Sequence, residues 1–237
     1  MKNLIFLALI LLSSFANAQL KFDVGLTLTG ALKKEIDLGQ LNVRGNTVDT
    51  NYVRRTFQPG ALSLHAKPSI FFHDIGKFGK GLVSFPINIG ISSIISSTTQ
   101  SGSSSTSSTQ INIAYDASIL YGIGGGSYTP EDDGSSNFGY FFQLGVGMTG
   151  LTKNPDYDEE YITKDEANVK GKYLYYDDPK SGVNKMTIGP VLHIGIVTSF
   201  LDFIGFSNGT QGVSTTFRPG FGNNFSYLQV SFFAVMF

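Results

Sequence analysis

The sequence predicts an all-β chain folded as an antiparallel up-and-down β-barrel of about eight strands, with ten as the alternative. Three observations carry this expectation. Apolar residues return at every second position in six separate stretches, each stretch runs 11 to 13 residues, and charge gathers between the stretches rather than within them. Period-two patterning is the trace of a strand whose two faces meet different environments. Strands of soluble proteins usually hold about 5 or 6 residues, whereas a tilted strand crossing a bilayer needs about 9 to 11.

The N-terminal 18 residues read as an address rather than as fold. Lys2 supplies a positive start, Leu4 to Leu12 an unbroken apolar run, and Ala16-Asn17-Ala18 a small-residue cleavage site, the pattern of a secretory signal peptide. Nine apolar residues are too few for a membrane helix, which needs about 20. Cleavage there would leave a domain over 19–237. The chain has no Cys, which excludes disulfides, thiolate metal sites and an N-terminal lipoprotein anchor. A net charge of −1 gives no argument for nucleic acid.

The strands follow in order. Over 20–32, Leu20, Phe22, Val24, Leu26, Leu28 and Leu32 oppose Lys21, Asp23, Thr27 and Thr29. Over 61–72, Leu62, Leu64, Ala66, Ile70 and Phe72 oppose Ser63, His65, Lys67 and Ser69. Over 82–92, Val83, Phe85, Ile87, Ile89 and Ile91 oppose Ser84, Asn88 and Ser92. The run 111–123 sets Ile111, Ile113, Tyr115, Ile119, Tyr121 and Ile123 against Asn112, Asp116 and Ser118. The run 138–149 sets Phe138, Tyr140, Phe142, Leu144, Val146 and Met148 against Gln143, Thr149 and three glycines. Over 186–197, Met186, Ile188, Leu192, Ile194 and Ile196 oppose Thr187 and His193. The end, 225–237, is strand-like but apolar on both parities near its close. An even count closes an up-and-down barrel with both ends on one side, so an eighth strand is expected around Val213, Thr215 and Phe217. Ten strands result if part of 41–57 pairs as well.

The charges choose the environment. Of 35 charged side chains, 14 fall in 153–185 and eight in 33–55. The six clearest strands carry only Lys21, Asp23, Lys67 and Asp116, all on the polar parity. A soluble barrel with an apolar inside needs a solvated outside rich in Lys and Glu. Here the polar face is Gly, Ser, Thr and Asn, which suits a crowded lumen, so the apolar face is expected to meet lipid. The chain is therefore read as a transmembrane barrel with a structural lumen cluster of Lys21, Asp23, His65, Lys67, Asp116, Gln143 and His193. Long connections over 33–59 and 154–184 and a short one over 73–81 suggest outer loops and an inner turn. On that topology Phe22, Phe72, Phe85, Tyr121, Phe138, Tyr140, Phe142, Phe200 and Phe237, with Phe71 and Phe203 beside them, fall at the short-turn rim as an interfacial girdle. Pro68, Pro86 and Pro190 lie inside proposed strands, where each removes a ladder donor and invites a bulge.

Motifs that carry chemistry are weak. Gly145-Val-Gly-Met-Thr-Gly150 has the spacing of a dinucleotide loop, but LTKNPDYDEE follows instead of the helix such a site needs. Ser63 and His65 share a face and would suit a hydrolase only with an acid in reach. Pairing among lumen residues is the commoner use, because an unpaired charge in a narrow barrel is costly. The run from Asn154 to Asp178 carries eight acids but lacks the spacing of a calcium loop. The run SSIISSTTQSGSSSTSSTQ is low-complexity and is expected to be a flexible outer tip.

The pattern over 19–237 resembles the small outer-membrane β-barrel proteins of Gram-negative bacteria, the outer membrane β-barrel domain or OmpA/OmpX-like group. Its ending, FSYLQVSFFAVMF, is similar to the terminal signal of that group at Phe237, Val235 and Phe233, and departs from it at Ser231 and Gln229. The resemblance implies the cell outer membrane as location, outer-membrane lipid as surroundings, and periplasmic chaperones and the barrel-assembly machinery as partners in biogenesis. It implies no single activity and no cofactor. The expected role is non-enzymatic, structural or surface-interacting, with narrow porin-like solute passage as a sub-option. The alternatives are a soluble lipocalin-like barrel holding an apolar ligand, with its faces reversed, and a lipid-modifying enzyme.

Overall fold

The computed structural model describes residues 19–44, 47–100, 105–129, 137–152, 173–175, 186–198, 210–221 and 224–236. The leader read in residues 1–18 lies outside them, as do Phe200, Phe203, Phe237 and most of the acidic segment. The strands are β1 (Gln19–Ala31), β2 (Lys34–Arg44), β3 (Thr47–Asp74), β4 (Lys80–Ser84), β5 (Ile87–Gln100), β6 (Ser105–Gly126), β7 (Phe138–Leu151), β8 (Tyr173–Tyr175), β9 (Met186–Thr198), β10 (Gln211–Arg218) and β11 (Tyr227–Met236).

All pairings are antiparallel, and the sheet closes on itself. β1 pairs β11 from Phe22 opposite Met236 to Ala31 opposite Tyr227, and on its other side pairs β3 from Gln19 opposite Phe71 to Gly30 opposite Gly60. Two staves of the ring are interrupted. β1 and β2 run one after the other along β3, because β2 takes over at Lys34 opposite Phe57. β4 and β5 share one register against β3, Ser84 opposite Ser69 and Ile87 opposite Ala66. The ring therefore has eight staves, an all-β antiparallel up-and-down barrel, with β8 as a short ninth strand on the edge of β2.

The predicted eighth strand is β10, around Val213, Thr215 and Phe217 as expected. Residues 41–57 do pair, but they lengthen existing staves, so the ten-strand alternative is not what forms. The expected long loop over 33–59 is likewise corrected: it is β2 and the outer end of β3. The expected flexible tip over 92–110 is corrected to two strand ends that pair from Ser93 opposite Ile111 to Thr99 opposite Ser105, around the undescribed 101–104. Ladder bonds come from the backbone, and Thr favours a pleated surface, so a Ser/Thr tract extends a hairpin already started below it.

The prolines are absorbed without shifting parity. Pro68 and the pair Phe85-Pro86 face one another across adjacent staves, and the gap between β4 and β5 falls there, bridged by the Phe85 N–H to the Pro68 carbonyl at 2.9 Å. Pro190 lies beyond Leu192, the last β9 residue that β10 pairs, where no donor is needed on that side.

Inward glycines make room for large inward side chains. A Cβ at Gly195 would overlap the Phe141 ring, at Gly212 the Phe233 ring, and at Gly147 the Arg218 guanidinium and the Ser118 hydroxyl. Gly147 belongs to the GxGxxG run, which lies wholly in β7 with its backbone paired to β6 and β9. The spacing answers to lumen packing, not to phosphate.

Gly195→Ala is expected to lower stability by about 1–3 kcal/mol in urea unfolding. Combined with Phe141→Leu it should cost less than the two single changes added, because the smaller side chain vacates the space. Additive costs would show that Gly195 is not there for the ring.

Candidate functional site

The faces divide as alternation dictates, with grease outside and polarity inside. Leu20, Leu64, Ile91, Ile111, Ile119 and Ile188 are each more than 55% exposed, whereas Asp23 and Lys67 are fully buried. The enclosed polar layer is the candidate site, and apolar side chains close it at both ends.

At the short-turn end the seal is Phe71, Leu82, Tyr128, Phe141, Val197 and Phe233. Tyr128 comes from the turn after β6, not from a strand. Gly126, at φ +61, starts that turn in the left-handed region, where a side chain would be strained. Lys21 fastens it from β1, donating to the carbonyls of Ser127 and Thr129 at 3.3 and 3.2 Å. The Tyr128 hydroxyl donates to Asp23 Oδ2 at 2.8 Å and lies 3.3 Å from Ser69 Oγ. Burial, with Asp23 beside it, pushes that hydroxyl well above the usual tyrosine range and keeps it a donor.

Asp23 and Lys67 sit directly opposite one another on β1 and β3, and Lys67 Nζ lies 2.8 Å from Asp23 Oδ2. The ammonium also stands 3.5 Å from the Phe141 ring centre and 5.0 and 5.3 Å from those of Tyr128 and Phe233. Aromatic faces are electron-rich, so they offset part of the hydration that a buried cation gives up.

The second ion pair lies further along the lumen. Arg218 donates to Asp116 Oδ2 and, at 2.8 Å, to Ser118 Oγ. Asn88 donates to Asp116 Oδ1 at 3.2 Å and accepts from the Thr27 hydroxyl at 3.1 Å, with His65 Nδ1 at 2.8 Å from the same oxygen. His193 Nδ1 meets Thr216 Oγ1 at 2.7 Å, and its ring stacks on Phe141. Gln143 donates to Ser84 Oγ at 2.9 Å. Among the described residues two enclosed carboxylates face two enclosed cations, so their charge is balanced.

At the far end Ala31, Phe57, Ile94, Leu151, Phe225 and Tyr227 form the other seal. Phe225 again belongs to a connection, the one between β10 and β11. Against this seal lies a partly open cavity of about 10 Å³ lined by Ser63, Asp116, Thr149, Leu151, Tyr227 and Gln229 among others. That is about the room one water needs.

The structure thus gathers Asp23, His65, Lys67, Asp116, Gln143 and His193 inside the ring, and sets Lys21 at its rim. Ser63 and His65 do share an inward face, but His65 turns its Nδ1 to Asn88, and both lie between the two seals. Of the aromatics expected at the short-turn rim, Phe72 and Tyr121 stack with ring centres 6.0 Å apart, and the Tyr140 hydroxyl donates to the Phe78 carbonyl. Phe138 and Phe142 point outward; Phe22 and Phe85 are half-buried. Phe71 is corrected: it points inward, into the seal. Sequence reasoning missed Arg218, Tyr128 and Phe225. Arg218 had a signal, since it continues the parity of Ser214 and Thr216 against Val213, Thr215 and Phe217.

Lys67→Met leaves Asp23 buried without its cation and is expected to cost about 3–5 kcal/mol in unfolding. Adding Asp23→Asn should recover most of that loss, because it removes the orphaned charge. A double variant as unstable as the single one would mean that the pair matters through packing alone.

No family model, curated protein or solved structure matches this chain.

Proposed function

We propose that the chain is an integral outer-membrane β-barrel protein with a filled, non-conducting lumen and a structural or surface-interacting role. The observation that carries this reading is the sidedness of the ring. Outward residues from Phe138 to Met148 on β7 are apolar over ten steps, about 33 Å along the strand at roughly 3.3 Å per residue. Tilted by about 40°, that is about 25 Å, the height of the apolar band of an outer-membrane barrel. A ring of exposed Leu, Ile and Val at that height, with four ionised side chains enclosed, favours hydrocarbon outside. The leader-like start, the aromatic side chains at one rim and the patterned ending agree with export and insertion.

The same sidedness speaks against the lipocalin-like alternative, which needs its apolar face inward. A lipid-modifying enzyme gains no support, because His65 and His193 are 2% and 1% exposed. Solute passage is disfavoured by the two apolar seals. The surface role draws on the outer ends of β2, β3, β5 and β6, which pair past the rim where β7 ends opposite Ala114. β3 alone continues ten residues beyond Phe57, roughly 30 Å of strand.

The absence of Cys allows single labels. Cysteines placed at Ile113, Leu144 and Ile194 are expected to react with a probe dissolved in the acyl chains and to be spared by a water-soluble maleimide. The reverse pattern would overturn the membrane reading. In planar bilayers the purified barrel is expected to give no conductance steps; steady steps would replace the filled lumen with a pore.

A further inference from the structure

Between the two ion pairs, several buried polar atoms face the lumen without a protein partner. Asp23 Oδ1, His65 Nε2, Gln143 Oε1 and His193 Nε2 make no hydrogen bond with protein, although Asp23, His65, Gln143 and His193 are each at most 2% exposed. The identity of three of these atoms follows from their neighbours, while His193 Nε2 is donor or acceptor according to which way the Thr216 hydroxyl turns. Arg218 and Asn88 share Asp116, and Asn88 uses its amide nitrogen there, so its oxygen is the atom turned to His65. His65 must then donate through Nδ1, which leaves Nε2 of the neutral ring as a bare acceptor. Gln143 spends its amide nitrogen on Ser84, which leaves its oxygen bare. Asp23 receives Lys67 and Tyr128 at Oδ2, which leaves Oδ1 bare.

The three acceptors His65 Nε2, Gln143 Oε1 and Asp23 Oδ1 cannot satisfy one another. They need a donor, and the donor has to be small, since the Lys67 ammonium and the rings of Phe141, Phe233 and His193 already pack together there. It also has to be neutral, since Lys67 already stands there as a cation, ion-paired with Asp23 and with its ammonium otherwise without a hydrogen-bond partner. Among the described residues, no three His, Asp or Glu side chains converge as a metal site.

We propose that the lumen is a water-binding site: ordered water, sealed between the two apolar clusters, donates to His65 Nε2, Gln143 Oε1 and Asp23 Oδ1 and accepts from Lys67. The cavity of about 10 Å³ beside Asp116, partly open at the far seal, has room for one further water against Ser63, Ser92 and Thr149. Water here is part of the fold, joining the Asp23–Lys67 pair to the His65–Asn88–Asp116–Arg218 chain. The site depends on the enclosed lumen alone and stands whether or not the outside of the ring meets lipid.

The test is nuclear magnetic resonance on the intact folded barrel in micelles, with ¹⁵N-labelled histidine. The expected result is a neutral His65 protonated at Nδ1, with cross-relaxation between lumen water and the ring protons of His65 and His193. Three outcomes would overturn the proposal: a His65 proton on Nε2, a His65 ring protonated on both nitrogens, or no water contact at either ring. A change in the His65 and His193 signals on adding EDTA would assign the site to a metal cation instead. Failure of the membrane reading would leave all of these signals unmoved, so the two are separable.

Discussion

Eight staves enclose a space only a few side chains wide, and whatever points into it loses its water. That loss is the constraint on which the interior depends. A carboxylate or ammonium stripped of hydration is tolerated only beside an opposite charge and a full set of hydrogen bonds. Asp23 is therefore met by Lys67 from the adjacent stave, and Asp116 by Arg218 from across the ring. Volume is governed as strictly as charge. Where Phe141, Phe233 and Arg218 enter, the facing positions are Gly195, Gly212 and Gly147.

Both seals follow from the same economy of space. Strand residues alternate in and out, so they alone leave an open mouth at each end. Connections are free of that alternation and can fold back. The turn after β6 sends Tyr128 inward, fastened by Lys21, and the segment before β11 sends Phe225 into the far mouth. Each seal combines such a residue with aromatic and aliphatic side chains of the staves. The polar layer between them stays cut off from bulk solvent, which strengthens every bond within it.

Much of this architecture is legible in the alternation alone, because a pleated strand sends neighbouring side chains to opposite faces. Asn112, Asp116 and Ser118 against Ile111, Ile113 and Ile119 need no partner to reveal which face is which. β10 was harder to see, with Gly212, Ser214, Thr215 and Thr216 diluting its pattern, and Arg218 at its end escaped with it. The outer halves of β3 and β5 escaped for a different reason. Charge and Ser/Thr there look like loop, yet the ladder is held by backbone groups and is started by the apolar halves below.

By itself the sequence determined the class of fold and the face on which most strand residues lie, because these depend on local periodicity, and it left the stave count between eight and ten. Only the tertiary structure decided which inward groups meet. Asp23 faces Lys67 through the register of β1 on β3, and Arg218 reaches Asp116 over a separation of 102 residues. The same holds for the seals, since the paths of two turns decide that Tyr128 and Phe225 enter the mouths. Ring closure and turn geometry are collective properties of all eight staves, and no single stretch of chain contains them.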